Sequence, residues 1–127
     1  MCIRDRPGAS KYYCGGGVVY THRAMRLVLD VDLRQHEGIR SSSEPYAALA
    51  AATIRERLRA TWGLCETGAA GPGGNGYGDA SGHSCIAVDG PLKHVMTLET
   101  GLEDRAENMW LFAEQALVEF LDCLKRA

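Results

Sequence analysis

The sequence predicts an α/β fold, a single three-layer α/β/α domain whose mixed sheet includes an antiparallel hairpin. Three observations lead there. Segments with apolar residues at helical spacing open at Ser43 and at Asp104 and bracket a block of strand-like composition. Inside that block, residues 83–88 and 93–100 flank the turn Asp89-Gly90-Pro91, which is the pattern of a hairpin. Residues 62–67 read as a further short strand and run straight into a Gly-dense stretch.

The bulk properties fit one soluble domain. A chain of 127 residues is long enough for a core of its own. A net charge of −2 supplies no electrostatic reason to bind nucleic acid or acidic lipid. No apolar run is long enough to span a bilayer, and no secretory pattern is present. The cysteines (Cys2, Cys14, Cys65, Cys85 and Cys123) are odd in number and widely spaced, with no CxxC pair. That argues against a disulfide framework and a zinc site, and for reduced thiols in a cytoplasmic protein.

Taken in order, Met1-Cys2-Ile3-Arg4-Asp5-Arg6 share no pattern with the rest of the chain, and residues 1–6 are expected to be a non-native leader. Pro7-Gly8-Ala9-Ser10 reads as a turn, and Val18-Val19-Tyr20-Thr21, after three glycines, has strand composition. Residues 23–29 form a short helix, and residues 30–42 are polar and connecting. Ser43-Glu44-Pro45 then opens a helix, with Ser43 as N-cap and Pro tolerated in the first turn. Its apolar positions are Tyr46, Leu49, Thr53, Ile54 and Leu58, and Arg55, Glu56, Arg57 and Arg59 form the solvated face. Asp104 caps the last helix, with Glu107 at the capping-box position. Trp110, Ala113, Leu117, Phe120, Leu121 and Leu124 give that helix an apolar stripe expected to face the core.

The chemistry concentrates in Thr67-Gly68-Ala69-Ala70-Gly71-Pro72-Gly73-Gly74-Asn75-Gly76. Glycines at a strand end let backbone approach a ligand, and their N–H groups can converge on an anion. A flexible surface loop is the other reading of the same composition. Gly71, Gly73 and Gly76 match a dinucleotide fingerprint in form, but a strand comes next where the fingerprint needs a helix, and no Lys-Ser/Thr pair succeeds the glycines as in a Walker loop. The four histidines lack metal-ligand spacing, so no metal or cofactor is expected. His83 adjoins the loop. A Cys nucleophile paired with it is conceivable, against inert packing for Cys65 and Cys85. Arg105 offers a fork for a carboxylate or phosphate.

From Pro7 to about Lys125 the chain resembles the C-terminal domain of the competence/damage-inducible CinA family, whose members include nicotinamide mononucleotide deamidases. Pro7-Gly8-Ala9-Ser10 with Gly16-Gly17-Val18-Val19-Tyr20-Thr21 resembles the family's PGAS…GGVVAYS segment. Ser43-Glu44-Pro45 resembles its helix start, residues 67–74 its TGIAGPGG loop, and Asp104-Arg105 its GDR block. The resemblance implies hydrolysis of the nicotinamide carboxamide to nicotinic acid mononucleotide and ammonia. It also implies a Ser nucleophile in an ESCTGG segment that would precede Pro7. On that basis residues 7–127 are expected to be the family domain without its first strand and helix, inactive alone. Tyr20 and Thr67 would be catalytic. Gly68, Gly71, Gly73, Gly74 and Arg105 would bind the nucleotide, and association into a homo-oligomer is possible. Met25 stands where the family commonly carries Lys, and a thioether cannot take a proton from Ser. The alternative is a non-catalytic nucleotide-binding or oligomerisation domain with the same fold.

Overall fold

The computed structural model describes residues 3–127, so Met1 and Cys2 of the leader lie outside the described residues. Three strands form the sheet: β1 (Gly63–Ala69), β2 (His83–Asp89) and β3 (His94–Glu99), in the order β1-β2-β3. Both pairings are antiparallel, with Gly63 opposite Asp89, Ala69 opposite His83, and His83 opposite Glu99. The expected hairpin is β2–β3. The expected mixed sheet is not what the described residues form. No helix lies between β1 and β2 to carry a parallel crossover, so the Gly-rich connection simply folds the chain back.

Central β2 is buried along its whole length, which requires cover on both faces. Helix α2 (Glu44–Leu58) supplies one, packing Ala47 and Ala51 on Cys85 and Ala87. Small residues let it sit close. A Cβ on Gly63 would meet the Ala51 carbonyl oxygen, so β1 can pass under the helix only as glycine. Helix α3 (Arg105–Arg126) supplies the other cover. It is tied to His94, which the register puts on the Val88 face, by a 2.9 Å contact between Nε2 and Glu119 Oε2. Trp62 meets Phe120 edge-on, with ring centroids 5.8 Å apart. Three layers result, and the fold class is α/β.

Both predicted caps are present. The Ser43 side chain accepts from Tyr46 N at 3.3 Å, and Asp104 Oδ1 from Glu107 N at 2.8 Å. Ahead of α2, a helical turn α1 (His22–Ala24), capped by Thr21, continues as a π-helical stretch Met25–Leu29. Met25, Leu29, Val31, Tyr46 and Ala50 form a core cluster there.

Two expectations fail, one of them in part. Residues 18–21 join no ladder among the described residues, and Val18 is 89% exposed. Strand composition alone does not make a strand. The α3 stripe holds only in part: Ala113, Leu117 and Phe120 are half-buried and Asn108, Phe112, Ala116 and Cys123 are buried, while Trp110 is 60% exposed and Leu121 and Leu124 are exposed too. The helix is rotated so that Asn108 reaches the loop beneath it, and this polar anchor was invisible to a count of apolar spacing.

Candidate functional site

The Gly-rich run leaves β1 at Ala69 and is anchored at both ends. On the α3 side, buried Asn108 donates from Nδ2 to Ala70 O and Leu102 O, both at 2.9 Å. Its Oδ1 accepts from Thr100 Oγ1 at 2.5 Å. Arg105 Nη1 donates to Gly71 O at 3.0 Å, and Ser81 Oγ to Leu102 O at 2.9 Å. Gly71 has φ +104, and a Cβ there would run into Ser81 Oγ and, at 2.7 Å, the Glu103 carbonyl oxygen, so this turn is closed to other residues.

On the α2 side the loop is held through Asp79. Asn75 Oδ1 accepts from Tyr77 N at 3.0 Å and Asp79 N at 3.1 Å, a local Asx-type turn. Asn75 Nδ2 and the guanidinium of Arg40 converge on the Asp79 carboxylate; Arg40 binds it through both Nη1 (2.7 Å) and Nη2 (2.9 Å). Those Arg40 bonds hold the Asp79 carboxyl below the usual carboxylate range despite its partial burial. Arg40 also lies 5.0 Å from the centre of the Tyr77 ring. The Tyr77 hydroxyl is 3.5 Å from His22 Nε2. His22 in turn lines an open groove of about 250 Å³ with Met25, Arg26, Asp32, Leu33 and Arg34.

The residues singled out from the sequence fall in different places. Thr67 sits in β1 directly opposite Cys85. Gly68 passes against the His83 carbonyl, Gly74 against that of Asp79, and Gly73 has open space around it. Gly71 and Arg105 are brought together by a hydrogen bond. Tyr20 is 79% exposed on the unpaired segment, and no hydrogen bond among the described residues joins it to Thr67. Met25 is 4% exposed, inside the core cluster. His83 and Cys85 do meet: Nε2 and Sγ are 3.6 Å apart. Burial pushes the Cys85 thiol up, so the pair holds a neutral thiol, a poor nucleophile. Cys65, pushed up to about 12 by burial, is likewise inert.

Arg40, Asn108 and Glu99 escaped the sequence reading. Asn75 and Asp79 carried a local signal, since Asx turns use such short spacings, but a partner 39 residues away, as Arg40 is from Asp79, leaves none.

These features define an α/β domain with a Gly-rich loop clamped between two helix N-termini, a guanidinium at its turn. The family of such a domain is settled by its relatives: the chain belongs to the CinA family, matching the CinA C-terminal domain over residues 1–124. A CinA-like protein of Desulforapulum autotrophicum is 35% identical over 117 residues, which is 91% of this chain and 27% of that protein. One from Synechocystis is 31% identical over 98% of this chain and 30% of that protein. This chain therefore spans under a third of the curated relatives' length. A competence-damaged protein (CinA) superfamily structure from Escherichia coli matches with a TM-score of 0.83 and 26% identity, covering 91% of this chain and 67% of that one. A competence or damage-inducible protein from Enterobacter asburiae gives 0.87 and 25%, covering 96% and 77%.

Proposed function

We propose that this chain is the Gly-loop portion of a nicotinamide-nucleotide amidase, which converts nicotinamide mononucleotide and water to nicotinic acid mononucleotide and ammonia. The observation that carries the reading is the bond from Arg105 to Gly71. It brings the two motif blocks that resemble the deamidases to one spot, a guanidinium on the carbonyl of the Gly71 turn. Such a spot suits a phosphate or a developing oxyanion. Thr67, Gly68, Gly73 and Gly74 would line the pocket, and Tyr20 would approach it only with the Ser-bearing segment in place. That Ser segment is not among these residues. The substrate is a small nucleotide in the cytoplasm, and no cofactor is required for amide hydrolysis by a Ser nucleophile.

A second reading, a nucleotide-binding or oligomerisation domain without chemistry, is favoured by Met25, whose buried thioether cannot act as a base. The exposed apolar residues of α3 add to its oligomerisation arm.

Incubating the chain with nicotinamide mononucleotide is expected to release no ammonia above a no-enzyme blank. The longer parent protein, with its upstream segment, is expected to produce ammonia and nicotinic acid mononucleotide, and replacing Thr67 with Val in it should weaken turnover. Nucleotide binding by the parent without turnover would favour the second reading.

A further inference from the structure

His83 has no part in the nucleotide reading, yet its surroundings do not suit a neutral imidazole. The ring is buried, with 6% of the residue exposed. Nδ1 lies 2.5 Å from Glu99 Oε1 and Nε2 lies 2.9 Å from the Ser42 carbonyl oxygen. Carboxylate and carbonyl oxygens only accept. A neutral imidazole has one N–H and would face one of the two with a lone pair. Only the doubly protonated ring satisfies both.

The charges around the ring favour the same form. Glu99 approaches from β3, and Asp79 Oδ2 of the loop lies 3.7 Å from Nε2. Arg40 answers Asp79 and also donates to the Ser42 carbonyl at 3.3 Å. From the start of α2, Glu44 accepts from Thr97 Oγ1 at 2.7 Å, and Thr97 is 3.5 Å from Cys85 Sγ. Cys85, on His83's own strand, is the remaining titratable neighbour. Two carboxylates thus flank the ring, Glu99 at Nδ1 and Asp79 near Nε2, and the Arg40 guanidinium is bound to Asp79.

Ser42 supplies the mechanical link. It is a buried non-glycine residue at φ 56, a left-handed conformation that persists only where its surroundings hold it. Its carbonyl is turned toward His83, one residue ahead of the α2 cap.

We propose that His83 is held as an imidazolium and acts as a positioning residue, its charge locking the end of the Gly-rich loop to the start of α2 through Ser42, Asp79 and Glu99. Loss of the proton removes the ring's bond to one of the two acceptors, leaving the Ser42 carbonyl only its longer contacts with Arg40 and Cys85 if Nε2 is the nitrogen that loses it, and it removes the attraction on Asp79. Both helix start and loop end then loosen together.

Burial by itself would push the imidazole down. The Glu99 bond, the Ser42 carbonyl and the Asp79 charge outweigh it, and the group sits above its ordinary value. A raised value in the folded state stabilises below the unfolded value of about 6.5, and that contribution is lost as pH rises through the folded value.

The test uses the whole chain and needs no substrate, so its outcome is separate from that of the amidase assay. Ring-nitrogen NMR across about pH 5 to 9 would follow the His83 protons, with His83→Gln assigning the signal. Both ring nitrogens should carry protons, with a midpoint above about 6.5. Glu99→Gln should lower that midpoint by about one unit. Amide-exchange protection at Tyr46, Ala47 and Asp79, corrected for intrinsic rates, should fall by up to about tenfold per pH unit between the unfolded and folded midpoints. That fall should be absent in His83→Gln. A single ring proton throughout, a midpoint at or below the ordinary value, or the same pH slope in the wild type and His83→Gln would each overturn the proposal. Should His83→Gln fail to fold, Glu99→Gln against the wild type carries both readouts.

Discussion

Tyr46 buries a hydroxyl with nothing among the described residues to receive it. The residue is 2% exposed among Met25, Leu29, Val31 and Ala50, and its OH has no hydrogen-bond partner among the described residues. Burial pushes the phenol up to about 12, so it stays neutral, but it still carries the cost of an unsatisfied polar group. Tyr46→Phe removes the oxygen and keeps the ring. Urea unfolding is expected to show no loss, and a gain of up to about 2 kcal/mol. A loss of more than about 1 kcal/mol would mean the hydroxyl has a partner in solution. Asp89 is the opposite case, a buried carboxylate that is well served: Arg55 Nε binds it at 2.5 Å and Lys93 Nζ lies at 3.3 Å. Against the opposing effect of burial, these two cations hold its carboxyl below the usual range. Arg55→Met should cost about 1–3 kcal/mol at neutral pH. A carboxyl lowered in the folded state stabilises above its unfolded value and loses that contribution as pH falls through the folded value. The penalty of Arg55→Met should therefore shrink below about pH 4 in acid unfolding curves.

At the scale of elements, the α2–β1 contact is governed by Gly63, where an added Cβ would meet the Ala51 carbonyl and, at 2.9 Å, Arg55 Cβ. Backbone cannot yield as a flexible side-chain tip can, so Gly63→Ala must lift the helix or bend the strand. A destabilisation of about 1–3 kcal/mol is expected in chemical unfolding, and an unchanged midpoint would show that the layers slide freely. How far each element was legible depends on the range of the forces that make it. Ser43 and Asp104 announced α2 and α3 because a cap acts within one turn. The β2–β3 hairpin was legible through Asp89-Gly90-Pro91 for the same reason. Val18 and Val19 misled, since a ladder needs a second strand that no local pattern reveals. Trp110, Leu121 and Leu124 misled because two faces of α3 carry apolar residues, and Asn108 chooses between them.

At the scale of the whole molecule, only part of the candidate site's geometry was legible. Gly71 and Arg105 stood out through motifs, and His83 and Asp79 through their places beside the loop, whereas their partners Glu99 and Arg40 come from distant stretches of chain and emerge only once folded. Those joined charges also shape how total stability varies with pH. On the acid side the lowered carboxyls of Asp79 and Asp89 must be protonated before their contributions vanish. On the alkaline side the thiols of half-buried Cys65 and buried Cys85 take over. Burial raises both Cys65, to about 12, and Cys85, whereas an unfolded thiol ionises near 8.5. Above that pH the unfolded chain sheds protons the folded chain retains, so folding loses ground as pH rises toward the folded values. Stability should thus fall above about pH 8.5 in the wild type, and Cys65→Ala should flatten that limb while leaving the acid limb unchanged. Thermal unfolding under reducing conditions, monitored from about pH 7 to pH 10.5, reads the slope directly. An alkaline limb equally steep in Cys65→Ala would show that this thiol ionises inside the fold as readily as outside it, and that its packing against the α2 cluster of Ala47 and Ala51 is not maintained in solution.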